Sequence, residues 1–558
     1  MAKNLDKNRN EQFFLFFTSS LTLILLLLIS YNFSSLLTGP EEWNWKYFPI
    51  KTYYKLWLPF SFFLIHLSFV CYLFSAYRKK LSLKKELLTL IILVLLSFLF
   101  LMSIAFLYEK GILFLSFRIT EESSTSFFNV AVNFNNKINY LLSNYSELMP
   151  QFPIHAQTHP PGSVFLFWSI NKFFEKSSFL TNYIFENICI RNPFLLKFSK
   201  AHGSGAVFSS ILIPLLNCLT LIPLYFLGKE IYNQQVAILS ASFYSFIPSI
   251  SLMSPFLDTI YPLLFLTVIY FFLTGLKYQK LFRSLIAGIF FALTLFLSFK
   301  AIMLLLLLIV ILGTILFKEK ILNSDWIKEL IVYERIKYLF SLLILLQFTV
   351  WYFFGVKILT VSLIVLLIFL LSLNQEKKRL PDGNSVFLKT NYFSSFTFTA
   401  KYLLVFPIAS IILFLSLYFV YKFDIFSTYH VSKLLHDQAT LRNRTYHIWL
   451  FFNLYDFFLF LGIPVSVVIF KSLFTELKDL KHIDISLASF LFTVFILNLS
   501  GRVLGEVSRL WLPLMPFALY PFSKELLDKN WNRFAQIAIF FILLFLQVIT
   551  FREFIQAP

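Results

Sequence analysis

A chain of 558 residues that is 58% hydrophobic, only 14% charged and of mean hydropathy +0.75 lies far outside the soluble globular range. The net charge of +19, from 48 Lys and Arg against 29 Asp and Glu, would point to nucleic acid in a soluble protein. Here it is read as the basic content of cytoplasmic loops, and no nucleic-acid partner is expected. Three cysteines, Cys71, Cys189 and Cys218, offer neither a disulfide framework nor a metal spacing.

An all-α integral membrane protein follows. A hydrocarbon core about 30 Å thick needs about 20 apolar residues in a helix. Such runs recur near 13–37, 55–77, 86–108, 205–228, 235–253, 260–276, 284–299, 301–317, 338–355, 357–374, 402–422, 447–470, 485–500, 508–523 and 535–551. About 13–15 transmembrane helices are expected on that count. The first run is too long for a signal-peptide core and lacks a small-residue cleavage site, so it reads as a span. Lys3, Lys7 and Arg9 mark its leading end as cytoplasmic. Alternation then puts the basic clusters at 78–85, 277–283, 318–337, 377–379, 471–481 and 524–533 on that same side. Residues 1–373, with an outer loop at 109–204, read as a catalytic module; 374–401, with its Pro-Asp-Gly turn, as a cytoplasmic linker; and 402–558 as a C-terminal module.

The opposite face collects the unusual polar residues. "RITEESS" supplies Glu121 and Glu122, followed by Phe127, Val130, Phe134, Ile138 and Leu141 at helical spacing. That spacing predicts an amphipathic interfacial helix over 127–141. "HAQTHPPGSVFLFW" holds His155 and His159 ahead of Pro160, Pro161 and Gly162. The prolines argue against one helix through both imidazoles, and the corner reads as a rigid turn aiming His159 at a ligand. No metal motif is present, and a divalent metal stays open. Asp258, in "SPFLDTIYP", is a carboxylate at a membrane boundary, expensive enough to read as functional, with helix capping as the plain alternative. Lys300 breaks an apolar run, either as a snorkelling hairpin tip or as a cation awaiting an anion. In "GRVLGEVSRLWLPLMP", Arg502, Glu506 and Arg509 are spaced by four and three, which predicts one side of a helical turn with a positive surplus suited to phosphate.

In order and sidedness these motifs resemble the multi-span GT-C glycosyltransferases that use polyprenyl-phosphate-linked sugars, including the protein mannosyltransferases and the lipid A aminoarabinose transferase. "ITEESS", the 127–141 helix and "THPPGSVFLFW" are similar to that group's acidic motif, interfacial helix and aromatic-Pro-Pro turn. "SPFLDTIYPLLFL" and "AGIFFALTLFLSFKAIMLL" resemble its outer Asp and its Gly-rich span ending in Lys, and "GEVSRLWLPLMP" its late Arg-aromatic-Pro motif. The likeness spans about residues 100–320 and, loosely, the last third. Three features depart from the group: Glu-Glu stands for its usual Asp, His159 stands for an aromatic residue, and three spans precede the first acid where the group has one.

The resemblance implies transfer of a sugar, with inversion, from a polyprenyl-phosphate donor to a hydroxyl of a glycan, lipid or protein, on the non-cytoplasmic face of a bacterial inner membrane. Glu121 or Glu122 would be the base, with Asp258 orienting a substrate. Lys300, Arg502 and Arg509 would hold the phosphate, and His155, His159, Pro160, Pro161, Gly162 and Glu506 would shape the site. No cofactor is read with certainty. Two alternatives are a flippase for lipid-linked sugars, for which His66 and Asn217 are among few intramembrane polar candidates, and a ligase-like transferase without a carboxylate base.

Overall fold

The protein, described from a computed structural model, is defined for residues 2–47, 49, 53–76, 81–122, 125–322, 396–478, 484–528 and 533–556. The expected spans at 338–355 and 357–374, and nearly all of the expected linker, lie outside these residues. Among them the fold is all-α apart from one two-residue antiparallel pair, Lys46–Tyr47 against Ile555–Gln556. Among the described residues seven helices are long and apolar enough to cross a membrane, or up to eight if one bent pair counts as a span. The chain is a multi-span membrane protein.

Three long helices open the chain: α1 (Ala2–Ser30), α2 (Trp57–Ala76) and α3 (Leu83–Phe106). The first large loop then folds into short helices: α4 (Leu113–Thr120), α5 (Phe127–Asn133), α6 (Ile138–Ser143), α7 (Tyr145–Leu148), α8 (Ile154–Gln157), α9 (Gly162–Lys176) and α10 (Ser178–Asn187). The single helix expected at 127–141 is therefore two. Asparagine competes with helical hydrogen bonding, and "NFNNK" ends α5: Trp168 Nε1 donates to Asn135 O at 2.8 Å, while Asn135 Nδ2 donates to Glu175. Nor do its apolar residues face outward. Phe127, Val130 and Leu141 are buried in a second core that also takes in Tyr145, Phe167 and Phe423. α10 does present an outward apolar face, with Phe179 80% exposed.

The central bundle follows. α11 (Lys200–Leu219) and α12 (Leu221–Ile231) form one 32-residue span, while α13 (Gln234–Phe243) and α14 (Pro248–Leu252) replace the straight span expected at 235–253. Pro248 cannot continue the preceding helix and instead opens α14. The carbonyls freed by the break need buried donors. His66 Nε2 lies 3.0 Å from Ser242 O, and Asn217 Nδ2 donates to Ile250 O at 3.4 Å. After α15 (Tyr261–Lys277), α16 (Leu281–Leu297) and α17 (Ala301–Leu322) come α18 (Phe396–Tyr421) and α19 (Ile425–His436). α20 (Tyr446–Leu461) and α21 (Ile463–Glu476) meet at 112° around Gly462, whose φ is +112°. That bend replaces the straight span expected at 447–470. Last come α22 (Ile485–Leu499), α23 (Val507–Leu510), α24 (Met515–Leu527) and α25 (Arg533–Phe554).

Two polar layers lie at opposite ends of this bundle. α15 rises about 25 Å over its length, from Asp258 just before its start to Lys277 at its end. Lys277 pairs with Glu230 at 2.9 Å. Around that end lie Lys229–Glu86 at 2.6 Å, Lys524–Asp484 at 3.0 Å and Lys471–Glu525 at 3.1 Å. The other end carries the candidate site.

Candidate functional site

Asp258 stands in the 3-10 turn Leu257–Ile260 that leads into α15. Lys300 stands between α16 and α17, where Ser298 leaves the helix with φ −161° and ψ 139°. The two side chains form an ion pair. Asp258 Oδ2 also faces Arg509 Nε at 3.6 Å, and Arg509 Nη2 pairs with Glu506 at 2.7 Å. Glu506 in turn faces Arg444 Nη2 at 3.6 Å. A continuous ladder results: Lys300, Asp258, Arg509, Glu506, Arg444. Three cations meet two carboxylates in the ladder, and Glu42 beside Arg444 supplies a third carboxylate whose charge acts on that guanidinium. The Arg509 Nε is buried and has no hydrogen-bond acceptor, since 3.6 Å to Asp258 is beyond direct bonding reach.

The Pro-Pro-Gly corner explains how Lys300 is held. A Cβ at Gly162 would run into the backbone of Phe296 and Leu297, so glycine alone lets α9 begin against the end of α16. Ser163 Oγ then donates to Leu297 O at 3.0 Å. The corner thus fixes the backbone three residues before Lys300. Burial lowers the Lys300 ammonium from its ordinary pKa, and Asp258 opposes that shift.

His159 precedes the corner. Its Nδ1 donates to His155 O at 2.8 Å, which leaves Nε2 as the ring acceptor. Burial, and then Lys300, push its pKa down to about 3. The ring is a neutral acceptor across the physiological range. His155 and His159 meet through the backbone oxygen of His155. Among the described residues no three His, Cys, Asp or Glu side chains gather as a metal site.

The loop before α23 departs from expectation. Arg502, Glu506 and Arg509 were expected along one helical turn. Gly501, Gly505 and Glu506 instead take positive φ of 61°, 94° and 56°, which breaks any helix there. Arg502 is turned away to face Asp437 at 3.6 Å, while His436 Nε2 meets its carbonyl at 3.0 Å. Only Glu506 and Arg509 of the three join the ladder. Two residues one helical turn apart on α20 hold the loop in place. Asn453 Nδ2 donates to Val503 O and Asn453 Oδ1 accepts from Gly505 N, both at 2.8 Å, and Asp456 Oδ2 accepts from Ser508 N at 3.0 Å. Burial acts to raise the Glu506 carboxyl, but Arg509 and Arg444 outweigh it and hold its pKa below the ordinary value.

Glu121 closes α4 half-buried and Glu122 follows it exposed. Neither is a rung of the ladder. Their segment is joined to the histidine loop at Ser126, whose Oγ accepts from Ala156 N at 3.0 Å.

Sequence reasoning missed several residues. Arg444 is placed by Trp43 and Trp449, whose rings lie 5.6 Å and 5.4 Å from its guanidinium. Glu42 orders that corner by accepting from Thr445 N at 2.9 Å and Trp449 Nε1 at 2.8 Å. The polar stretch 427–447 is legible in the sequence as part of the outer face, but the role of α19 within it is not. That helix ties three parts of the site together: Ser432 Oγ donates to Thr158 O at 2.7 Å, the Tyr429 ring meets Phe299 at 5.1 Å, and His436 reaches Arg502. Neither a protein-family model nor a curated protein matches the sequence.

Proposed function

We propose that the protein is a GT-C-like membrane glycosyltransferase that moves a sugar from a polyprenyl-phosphate donor to an acceptor hydroxyl, on the non-cytoplasmic face of a bacterial inner membrane. The observation that carries the reading is the ladder at one end of the bundle, which gathers Lys300, Arg509 and Arg444 and leaves a buried Arg509 donor lacking an acceptor. A lipid-linked phosphate rests at that depth, its prenyl chain in the bilayer. Lys300, Arg509 and Arg444 supply charged hydrogen bonds to the phosphate as the sugar–oxygen bond breaks and negative charge grows on it. Arg502, paired to Asp437, is at the margin of this set. Both Asp258 oxygens face cations, so its role is to hold Lys300 and Arg509 in register. The acceptor proton goes to Glu121 or Glu122, the hydroxyl oxygen attacks the sugar from the face opposite the phosphate, and the configuration inverts.

The carrier reading needs polar groups lining a path through the bundle. His66 and Asn217 instead serve the carbonyls of the broken α13–α14 segment, which supports the enzyme reading. The test is transfer of labelled sugar from polyprenyl phosphate in membranes carrying wild type, Glu121→Gln, Glu122→Gln or Arg509→Ala. One of the two Gln variants should lose about 10²–10⁴-fold in turnover with donor affinity kept. Arg509→Ala should weaken donor binding about ten- to hundredfold. Wild-type transfer by both Gln variants would point to base-free, ligase-like chemistry, and donor movement without any transfer to a carrier.

A further inference from the structure

A second group of buried cations stands beside the ladder and takes no part in it. Arg118, on α4, is 7% exposed and Arg552, near the end of α25, is 2% exposed. They converge on Tyr108. Arg118 Nη1 donates to the Tyr108 hydroxyl at 3.0 Å, and the Arg552 guanidinium lies 3.3 Å from the centre of its ring. Lys55, also buried, donates to the carbonyls of Tyr108 at 2.8 Å and Glu109 at 3.2 Å. Three cations therefore surround one tyrosine.

The neighbouring Glu553 offsets part of the charge on Arg552. Arg552 Nε and Nη2 are buried without an acceptor, and the neighbouring Glu553 keeps a buried Oε1 that is likewise unpartnered. A guanidinium whose donors lack acceptors at the end of a span is costly to bury. Tyr108 registers the surplus: burial acts to raise the pKa of its phenol, yet Arg118 and Arg552 outweigh burial and leave it below the ordinary value. The group adjoins the ladder through Phe256, whose ring has Arg118 at 4.3 Å and Arg509 at 5.8 Å. Arg118 Nη1 also reaches Leu252 O at 3.4 Å, which fixes the group against the loop that presents Asp258.

We propose that Arg118 and Arg552 form a second oxyanion site, separate from the Asp258–Lys300–Arg509 ladder, that binds a phosphate-bearing group at the membrane boundary. The free Arg552 Nε and Nη2 present the two-pronged donor edge that matches two phosphate oxygens. Arg118, already committed to Tyr108, adds charge and holds the ring on which Arg552 stacks. The chemistry fits a phospholipid headgroup and a soluble phosphate ester alike. The proposal does not rest on the glycosyltransferase reading.

The experiment uses the full chain purified in detergent, with native mass spectrometry after exchange into phosphatidylglycerol or phosphatidylcholine, and thermal unfolding with and without inorganic phosphate. Retention of phosphatidylglycerol over phosphatidylcholine identifies a headgroup. A phosphate-dependent rise in the unfolding midpoint without lipid retention identifies a soluble ester. In either case Arg552→Gln should weaken binding about ten- to hundredfold, and Arg552→Lys, which keeps the charge but loses the two-pronged edge, should weaken it less than Arg552→Gln. Arg118→Gln provides an independent loss should Arg552→Gln not fold. Binding of neither probe, or binding unchanged in Arg552→Gln and Arg118→Gln, overturns the site. A polyprenyl-phosphate titration of Arg552→Gln keeps the two readings apart, because loss of the anion with donor affinity intact assigns the failure to this site alone.

Discussion

His159 shows how a residue whose identity is plain in the sequence takes its chemical role from its surroundings. The imidazole lies beside Lys300, Asp258 and His155, and burial outweighs the one favourable charge among them, so its folded pKa falls from 6.5 to about 3. The unfolded chain takes up a proton below about 6.5 that the folded chain refuses. Stability therefore falls as pH drops from about 6.5 toward about 3, with a slope of about 1 kcal/mol per pH unit, below the full linkage value because the ring keeps some contact with solvent. Thermal unfolding midpoints of wild type and His159→Gln, compared between pH 7 and pH 4, should converge or cross as wild type loses this increment; parallel curves would remove His159 as the source. The sequence placed the histidine near a polar site but could not assign its charge. Arg444 was less legible still. "LRNRTYH" holds Arg442 and Arg444, and what separates them is contact with Trp43 and with the Glu506 carboxylate, which come from distant parts of the chain.

At the scale of elements, length and hydropathy located the apolar runs well and their breaks poorly. A run such as 235–253 has the same composition whether it is one helix or two, and the break at Pro248 is tolerated only because His66 and Asn217, on other helices, serve the opened backbone. The 127–141 pattern had the right period, but its apolar face met a second core instead of lipid. The opposite holds for Pro-Pro-Gly, whose rigidity was legible while its partner was not. The partner is the end of α16, and the contact makes a prediction. Gly162→Ala puts a methyl group against the backbone of Phe296 and Leu297, so α9 and α16 must separate at a cost of about 1–3 kcal/mol. Lys300 moves with them, and donor affinity should fall together with the unfolding midpoint. Gly313→Ala is the matched control, because nothing lies within 4 Å of its added carbon, and it should leave stability unchanged or raise it by about 0.5–1 kcal/mol. Equal effects of the two substitutions would mean that the corner does not position Lys300.

The whole molecule is organised by charge as well as by apolar packing. The layer built on Lys277–Glu230, Lys229–Glu86 and Lys524–Asp484 is neutralised pair by pair, whereas the layer around Asp258 and Tyr108 holds cations in excess. α15 separates the two layers by about 25 Å, close to the thickness of a hydrocarbon core. In the proposed orientation the neutralised layer, with basic loops such as Lys277 to Arg283 beyond it, takes the cytoplasmic side under the positive-inside rule. The cation-rich layer would then face outward with the loop that carries α9 and α10. Two single-cysteine proteins test this arrangement in a background with Cys71, Cys189 and Cys218 replaced. Ser178 begins α10 and Lys280 precedes α16, and both are exposed. In intact spheroplasts a membrane-impermeant maleimide should label Ser178→Cys at once and Lys280→Cys only after permeabilisation. Labelling of both from the same side would place the two layers on one face, and the outward orientation of the Asp258 site would have to be abandoned.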